Sequence, residues 1–271
     1  TRSWFVFSEF HDYADGFRAD LGFLPKVGYR EGNLGGGLLW WGDSESWYNR
    51  LEVGGIVVRS EDRDRELLAD HTEIWFSGEG PLQSNFRGEL ARRTEVVDGV
   101  KFENLITPMI FFRMRPAASF MFRVWAIAGD WIDFSNVRPA DRLRLNLSLD
   151  FNIARHFELD LRHSYSALDV EGGCLFTAHV PEIRAVWQFN TRTFVRAIVQ
   201  YTDIRRDQDL YEDEVDSLSQ DFFVQLLFSY KVNPQTVFFL GYTEGGEGSE
   251  DYSITTTGRS LFLKIGYAWI W

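Results

Sequence analysis

The sequence predicts an all-β protein, a transmembrane antiparallel up-and-down β-barrel of about fourteen strands with short periplasmic turns and long extracellular loops. Three observations predict it. Apolar and polar residues alternate with period two along most of the chain. Many alternating runs reach about 10–14 residues, longer than the usual strand of about 5–6 and close to the roughly 9–11 that a tilted strand needs to cross a bilayer. The connections between the runs alternate long and short, as in outer-membrane barrels.

Alternation is clearest over residues 142–153. Leu143, Leu145, Leu147, Leu149, Phe151 and Ile153 fall on one face, and Arg142, Arg144, Asn146, Ser148, Asp150 and Asn152 on the other. A helix would scatter these leucines around its circumference, whereas a strand gathers them on one side. Phe157, Leu159 and Leu161 continue the pattern, as do Val195, Ala197, Val199 and Tyr201, and then Phe222, Val224, Leu226, Phe228 and Tyr230. In chain order the strands run near 4–10, 34–42, 47–58, 70–79, 83–93, 101–112, 117–128, 142–153, 157–168, 175–188, 193–204, 219–230, 236–244 and 258–270. The only helical hint is one turn near 63–70.

Long connections are expected near 59–69, 94–100, 129–141, 169–174, 205–218 and 245–257. Short ones are expected near 43–46, 80–82, 113–116, 154–156, 189–192 and 231–235. The first connection, 11–33, is long enough to fold into the lumen or over its mouth. With both termini periplasmic, the whole chain 1–271 is one barrel domain. Aromatic residues near strand ends suit the two girdles at a membrane interface. Trp40, Trp41, Trp47, Trp187, Phe189, Trp269 and Trp271 belong to the short-turn side, and Trp131, Phe134, Tyr165, Tyr201 and Phe222 to the long-loop side.

Composition excludes several classes. The 271 residues carry Lys+Arg 28 against Asp+Glu 40, a formal charge of −12, which argues against a nucleic-acid partner. Cys174 stands alone, so no internal disulfide or cysteine-built metal site can form. No apolar run reaches the roughly 18 residues of a spanning helix. No signal region opens the sequence, so the chain is read either as mature or as a segment of a longer precursor.

In the barrel reading the polar face lines the lumen. The candidate lining residues are Arg50, Glu52, Arg87, Glu89, Arg93, Arg123, Arg142, Arg144, Asp150, Glu158, Asp160, Arg162, Arg184, Arg196 and Lys264. Their basic members are nearly all arginine, which makes pre-organised bidentate pairs with carboxylates. Two readings stay open: a water-filled, charge-lined pore, and neutralising cross-strand pairs that stabilise the wall, the second favoured for most individual residues. Acidic residues gather in the loops, Asp203, Asp207, Asp209, Glu212, Asp213, Glu214 and Asp216 in one, Glu244, Glu247, Glu250 and Asp251 in another. They are read as solvated, because the run from Asp207 lacks the ligands and glycine of a calcium loop.

No catalytic constellation is evident. His11, His71, His156, His163 and His179 are dispersed, no G-x-S-x-G elbow occurs, and Cys174 sits in a loop as an incidental thiol. The expectation is no enzyme, no metal and no cofactor. Gly35, Gly36, Gly37, Gly54 and Gly55, inside or beside strands, are places for a bend or close packing against the wall.

Three stretches carry a resemblance. FRADLGF (17–23), NPQTVFFLGY (233–242) with the preceding LLFSY (226–230), and RSLFLK (259–264) resemble the C-terminal outer-membrane barrel of a bacterial domain-of-unknown-function family. Its members usually carry a carbohydrate-binding-like β-sandwich ahead of the barrel. The resemblance spans nearly the whole chain and rests on structural motifs without chemistry. The terminal aromatic, Trp271, resembles the assembly signal of outer-membrane proteins, which implies insertion by the barrel assembly machinery. The expected site is therefore the bacterial outer membrane, and the expected partners are its lipid and lipopolysaccharide. Two functions follow: a channel or uptake pore for a small hydrophilic solute, or a closed barrel that anchors or docks a periplasmic or surface partner or a missing domain.

Overall fold

The computed structural model describes residues 2–18, 27–233 and 235–268. Residues 19–23 of the FRADLGF motif, Trp269 and Trp271 lie outside the described residues, so the girdle assignment of those two tryptophans does too. Fourteen strands form one antiparallel sheet in sequence order, from β1 to β14. They are β1 (Arg2–Tyr13), β2 (Tyr29–Trp41), β3 (Arg50–Asp62), β4 (Leu67–Gly80), β5 (Ser84–Val97), β6 (Val100–Ala117) and β7 (Phe120–Asp133). The series continues with β8 (Arg138–Ile153), β9 (Phe157–Val170), β10 (Gly173–Asn190), β11 (Thr193–Arg206), β12 (Leu218–Asn233), β13 (Thr236–Ser249) and β14 (Thr255–Tyr267). Every strand expected from period-two alternation is present. Among the described residues β1 and β14 are the two ends of the sheet order.

The expected alternation of long and short connections is not what the chain does. On the side assigned long loops, β5 joins β6 through residues 98–99 alone, and β9 joins β10 through 171–172. Residues placed in those loops are strand residues instead: Ala69 pairs with Glu95, and Cys174 with Asp169. Backbone hydrogen bonding continues because nothing interrupts it until a turn-former arrives. At Asp98 and Gly99 both φ values are positive (48° and 80°), the pattern of a tight type I′ hairpin turn. Only the connections 14–28 and 207–217 remain long, while 42–49, assigned as short, is longer than expected.

Five placements change with this. Asp203 lies on β11, and Glu244 and Glu247 on β13, rather than in loops. Cys174 is in the first turn-proximal residues of β10. Residues 63–66 form the turn before β4, so no helical turn spans 63–70. The 3₁₀ turns lie instead at Pro81–Gln83 and Gln208–Leu210.

Two compact units divide the chain, residues 1–112 with 127–142, and residues 113–126 with 143–271. In the first, Phe102, Leu105 and Ile132 form a small buried cluster, with Val97 and Val137 against it. Ile132 is the only large side chain fully buried among the described residues. Apolar side chains instead stand exposed, Leu143, Leu145 and Leu147 on β8 at 42%, 37% and 36%, and Leu261, Leu263 and Ile265 on β14 at 74%, 62% and 65%. A soluble sandwich would bury these rows. An exposed, continuous apolar face asks for an apolar medium.

On β8 the row from Leu143 to Ile153 is about 33 Å long at about 3.3 Å per residue, and at the tilt near 45° of a barrel strand it would rise about 23 Å. That matches the roughly 25 Å apolar band of outer-membrane barrels. Toward the ends assigned to long loops the same face turns charged. In the first unit Arg59 pairs with Glu61 at 2.6 Å and Arg63 with Asp12 at 2.6 Å. In the second, the Tyr242 hydroxyl donates to Glu244 (2.6 Å), which also pairs with Arg259 (3.0 Å). Tyr201, Asp203, Gln220 and Arg205 make an equivalent knot between β11 and β12. These residues form a polar collar just above the apolar band.

Candidate functional site

The opposite face of each unit is polar. In the first unit β3, β4 and β5 carry a connected network. Arg50 pairs with Glu52 and reaches Glu79 at 3.8 Å. Buried Glu52 accepts a hydrogen bond from the Trp75 indole at 2.7 Å. Arg87 lies over the Trp75 ring, 4.9 Å from its centroid, and donates to Glu73 (2.8 Å) and Glu89 (2.9 Å). His71 sits between Glu73 (3.1 Å) and the Arg93 guanidinium, whose Nε lies 3.1 Å from Nδ1. Because Arg93 can only donate, Nδ1 accepts and Nε2 carries the proton toward Glu73. A hollow of about 420 Å³ is lined by Arg50, Glu52, Ser77, Glu79, Asn85 and Arg87.

The register explains the network. Ser77 faces Arg87, Trp75 faces Glu89, and His71 faces Arg93 across β4 and β5, so alternate residues of three strands share one face. Glycine makes room for the indole. Gly54 is directly opposite Trp75, and a methyl group at Gly54 would fall within the ring and 2.9 Å from the Gly36 carbonyl oxygen. The rings of Phe7 and Phe5 cover Gly35 and Gly37 in the same way, so these glycines are filled by neighbouring strands of the sheet itself.

In the second unit, Arg184 on β10 bridges Glu158 (2.9 Å) and buried Asp160 on β9, and Arg162 pairs with Glu182 at 3.3 Å. Arg196 donates to the Gln225 amide oxygen at 2.8 Å. Asp150 is 3.5 Å from the Ser148 hydroxyl. Apart from Arg93, which meets His71, and Arg142, which lies over Trp131, the expected lining residues thus fall into two sets. Arg50, Glu52, Arg87, Glu89, Glu158, Asp160, Arg162 and Arg184 are joined in ion pairs. Arg123, Arg144, Asp150, Arg196 and Lys264 have no oppositely charged partner within 4.0 Å among the described residues.

Sequence reading missed several members. Glu73, Trp75 and Glu79 belong to the polar face, and their shared odd parity along β4 was the signal that could have found them. Trp131 is no girdle residue: its ring packs under the Arg142 guanidinium at 3.3 Å, with Arg93 at 5.9 Å. Arginine over an indole face is favourable in a partly desolvated setting, which takes this ring to the charged side of the sheet. Trp187 is 48% exposed near the short-turn end of β10, on the face that carries Ile183.

Two histidines expected to be apart meet. His163 on β9 and His179 on β10 stack with centroids 5.5 Å apart and ring nitrogens at 3.3 Å, because the strands are antiparallel and bring the two positions diagonally together. Among the described residues no group of three or more His, Cys, Asp or Glu converges on a metal position. Cys174 is surface-exposed, but local burial and then the neighbouring Asp169 push its thiol up to about 11.

No family model matches the chain, and neither does any curated protein. Among solved structures it is similar to the outer membrane channel DcaP of Acinetobacter baumannii, at 10% identity and a TM-score of 0.47, covering 98% of this chain and 97% of that one. OmpT, an outer membrane protein of Vibrio cholerae, is similar at 8% identity and 0.43, covering 99% of each chain. An anion-selective porin from Comamonas acidovorans is similar at 9% identity and 0.40, covering 99% of this chain and 96% of that one.

Proposed function

We propose that the sheet closes β1 onto β14 as a barrel in the bacterial outer membrane and conducts small hydrophilic solutes along its polar face. One observation carries the reading. A single sheet presents exposed leucine, isoleucine and phenylalanine rows on one face and charged, hydrogen-bonded side chains on the other. Closure removes the free edges that would otherwise expose unpaired N–H and C=O groups in hydrocarbon, where each is costly. With fourteen strands the bore lies between a packed eight-stranded barrel and the 16–18-stranded aqueous porins. Lipid and lipopolysaccharide would contact the apolar face and its collar, and the barrel assembly machinery would insert the chain.

A second reading, a closed anchor or docking barrel without catalytic chemistry, is favoured by the neutralised networks around Arg87 and Arg184, which behave as wall-stabilising pairs. Single-channel recording of the refolded protein in planar bilayers separates the two. Discrete conductance steps support the pore. A membrane-inserted, heat-modifiable protein that never conducts supports the anchor.

A further inference from the structure

In the second unit the polar face carries more positive charge than its carboxylates neutralise. Its acids are Asp150, Glu158, Asp160 and Glu182 across β8–β10, three of them engaged by Arg184 and Arg162, together with Asp221 on β12 and Glu247 on β13. Against them stand Arg113, Arg115, Arg123, Arg144, Arg196 and Lys264, none with a carboxylate oxygen within 4.0 Å among the described residues. Their contacts are neutral where they exist: Arg115 meets the Met121 thioether at 3.9 Å and Arg196 the Gln225 amide. The Nε atoms of Arg113 and Arg196 are buried and donate to no protein group among the described residues. A buried donor left without an acceptor costs about 1–3 kcal/mol, and a surplus of guanidinium in a partly desolvated wall is stabilised by an anion.

The surplus meets a cavity at one place. A hollow of about 410 Å³ is lined by Trp125, Arg144, Asn146, Ser164 and Ser166 on β7, β8 and β9. Ser164 donates to the Asn146 amide oxygen at 2.7 Å, which turns the amide nitrogen of Asn146 free to donate. Arginine's planar fork and an amide N–H₂ then offer donors, the Ser166 hydroxyl can add another, and no carboxylate lines the hollow, a set suited to oxyanions and poor for cations.

We propose that this hollow binds the oxyanion group of a small solute, carboxylate or phosphate, with Arg144 as the charged anchor, Asn146 and Ser166 as the neutral donors, and Ser164 holding the Asn146 amide in place. This deepens the pore reading by giving the solute a charge class, and it stands as a binding site whether or not the bore conducts.

The test uses the full chain refolded in detergent, with heat-modifiable gel migration as the folding control. Citrate and inorganic pyrophosphate are titrated calorimetrically in parallel, and reversal potentials are recorded across a KCl gradient. Saturable binding of either anion, weakened at least tenfold by Arg144→Gln and less by Arg144→Lys, is the expected result. A preference for citrate assigns a carboxylate solute, and a preference for pyrophosphate assigns a phosphate. Absent binding, or binding that Arg144→Gln leaves unchanged in a folded protein, overturns the proposal. If Arg144→Gln does not fold, Ser166→Ala must weaken binding instead, and unchanged binding again overturns it. Arg144-dependent binding without conductance sinks the pore alone. Conductance with no anion binding sinks the oxyanion site alone.

Discussion

Substituting Leu147 with arginine tests which face of the sheet meets hydrocarbon. Leu147 lies near the middle of the row from Leu143 to Ile153, with its side chain exposed. At about 3.3 Å per residue and a 45° tilt, each residue advances about 2.3 Å along the normal, so Leu147 sits about 9 Å below Leu143. An arginine at the midplane of a barrel's lipid face costs about 2–4 kcal/mol, falling to about 0–1 kcal/mol near the interface. Leu147→Arg is therefore expected to lose about 2–4 kcal/mol and Leu143→Arg about 1 kcal/mol or less. Asn146→Arg, one residue away on the polar face, is expected to lose less than Leu147→Arg, since the added charge points to the wet side. The assay is reversible urea unfolding in phosphocholine vesicles, read by tryptophan fluorescence. Equal costs at Leu143 and Leu147, or a larger cost at Asn146, would refute the assignment of the faces.

The pairing of Gly54 with Trp75 predicts that Gly54→Ala destabilises by about 1–3 kcal/mol through overpacking, by denaturant titration. Trp75→Leu alone loses the indole bond to Glu52, and the double substitution should cost less than the sum of the singles. The Cys174 thiol, raised to about 11, predicts slow alkylation despite surface exposure. At pH 8 its thiolate fraction is about 100-fold below that of an ordinary thiol near 9, so the iodoacetamide rate should climb about tenfold per pH unit until near 11. A plateau below pH 9 would contradict that environment.

Period-two alternation was enough to find all fourteen strands, because a strand facing two media must separate its residue types by face. Connection length was not legible. The polar collar sits on strands that continue hydrogen bonding, so charged residues such as Arg59, Glu61 and Glu244 read as loop although their backbones are paired. For the polar face, sequence parity placed Arg87, Arg184 and Asp160 together but could not say which cations lacked a partner. That depends on cross-strand register, which sets Glu182 opposite Arg162 and leaves Arg144 beside serines. Trp131 was misassigned for a related reason. An aromatic near a strand end fits a girdle and a cation-stacking role equally well until its facing neighbour, Arg142, is known.

The small cluster around Ile132 has a consequence for what stability means here. A globular domain carries its own oil, whereas a barrel of the kind proposed borrows it. What opposes unfolding is the backbone ladder together with whatever coats the leucine rows, so a melting temperature belongs to the protein and its amphiphile jointly. Shortening the acyl chains around it should move that temperature with no change in sequence.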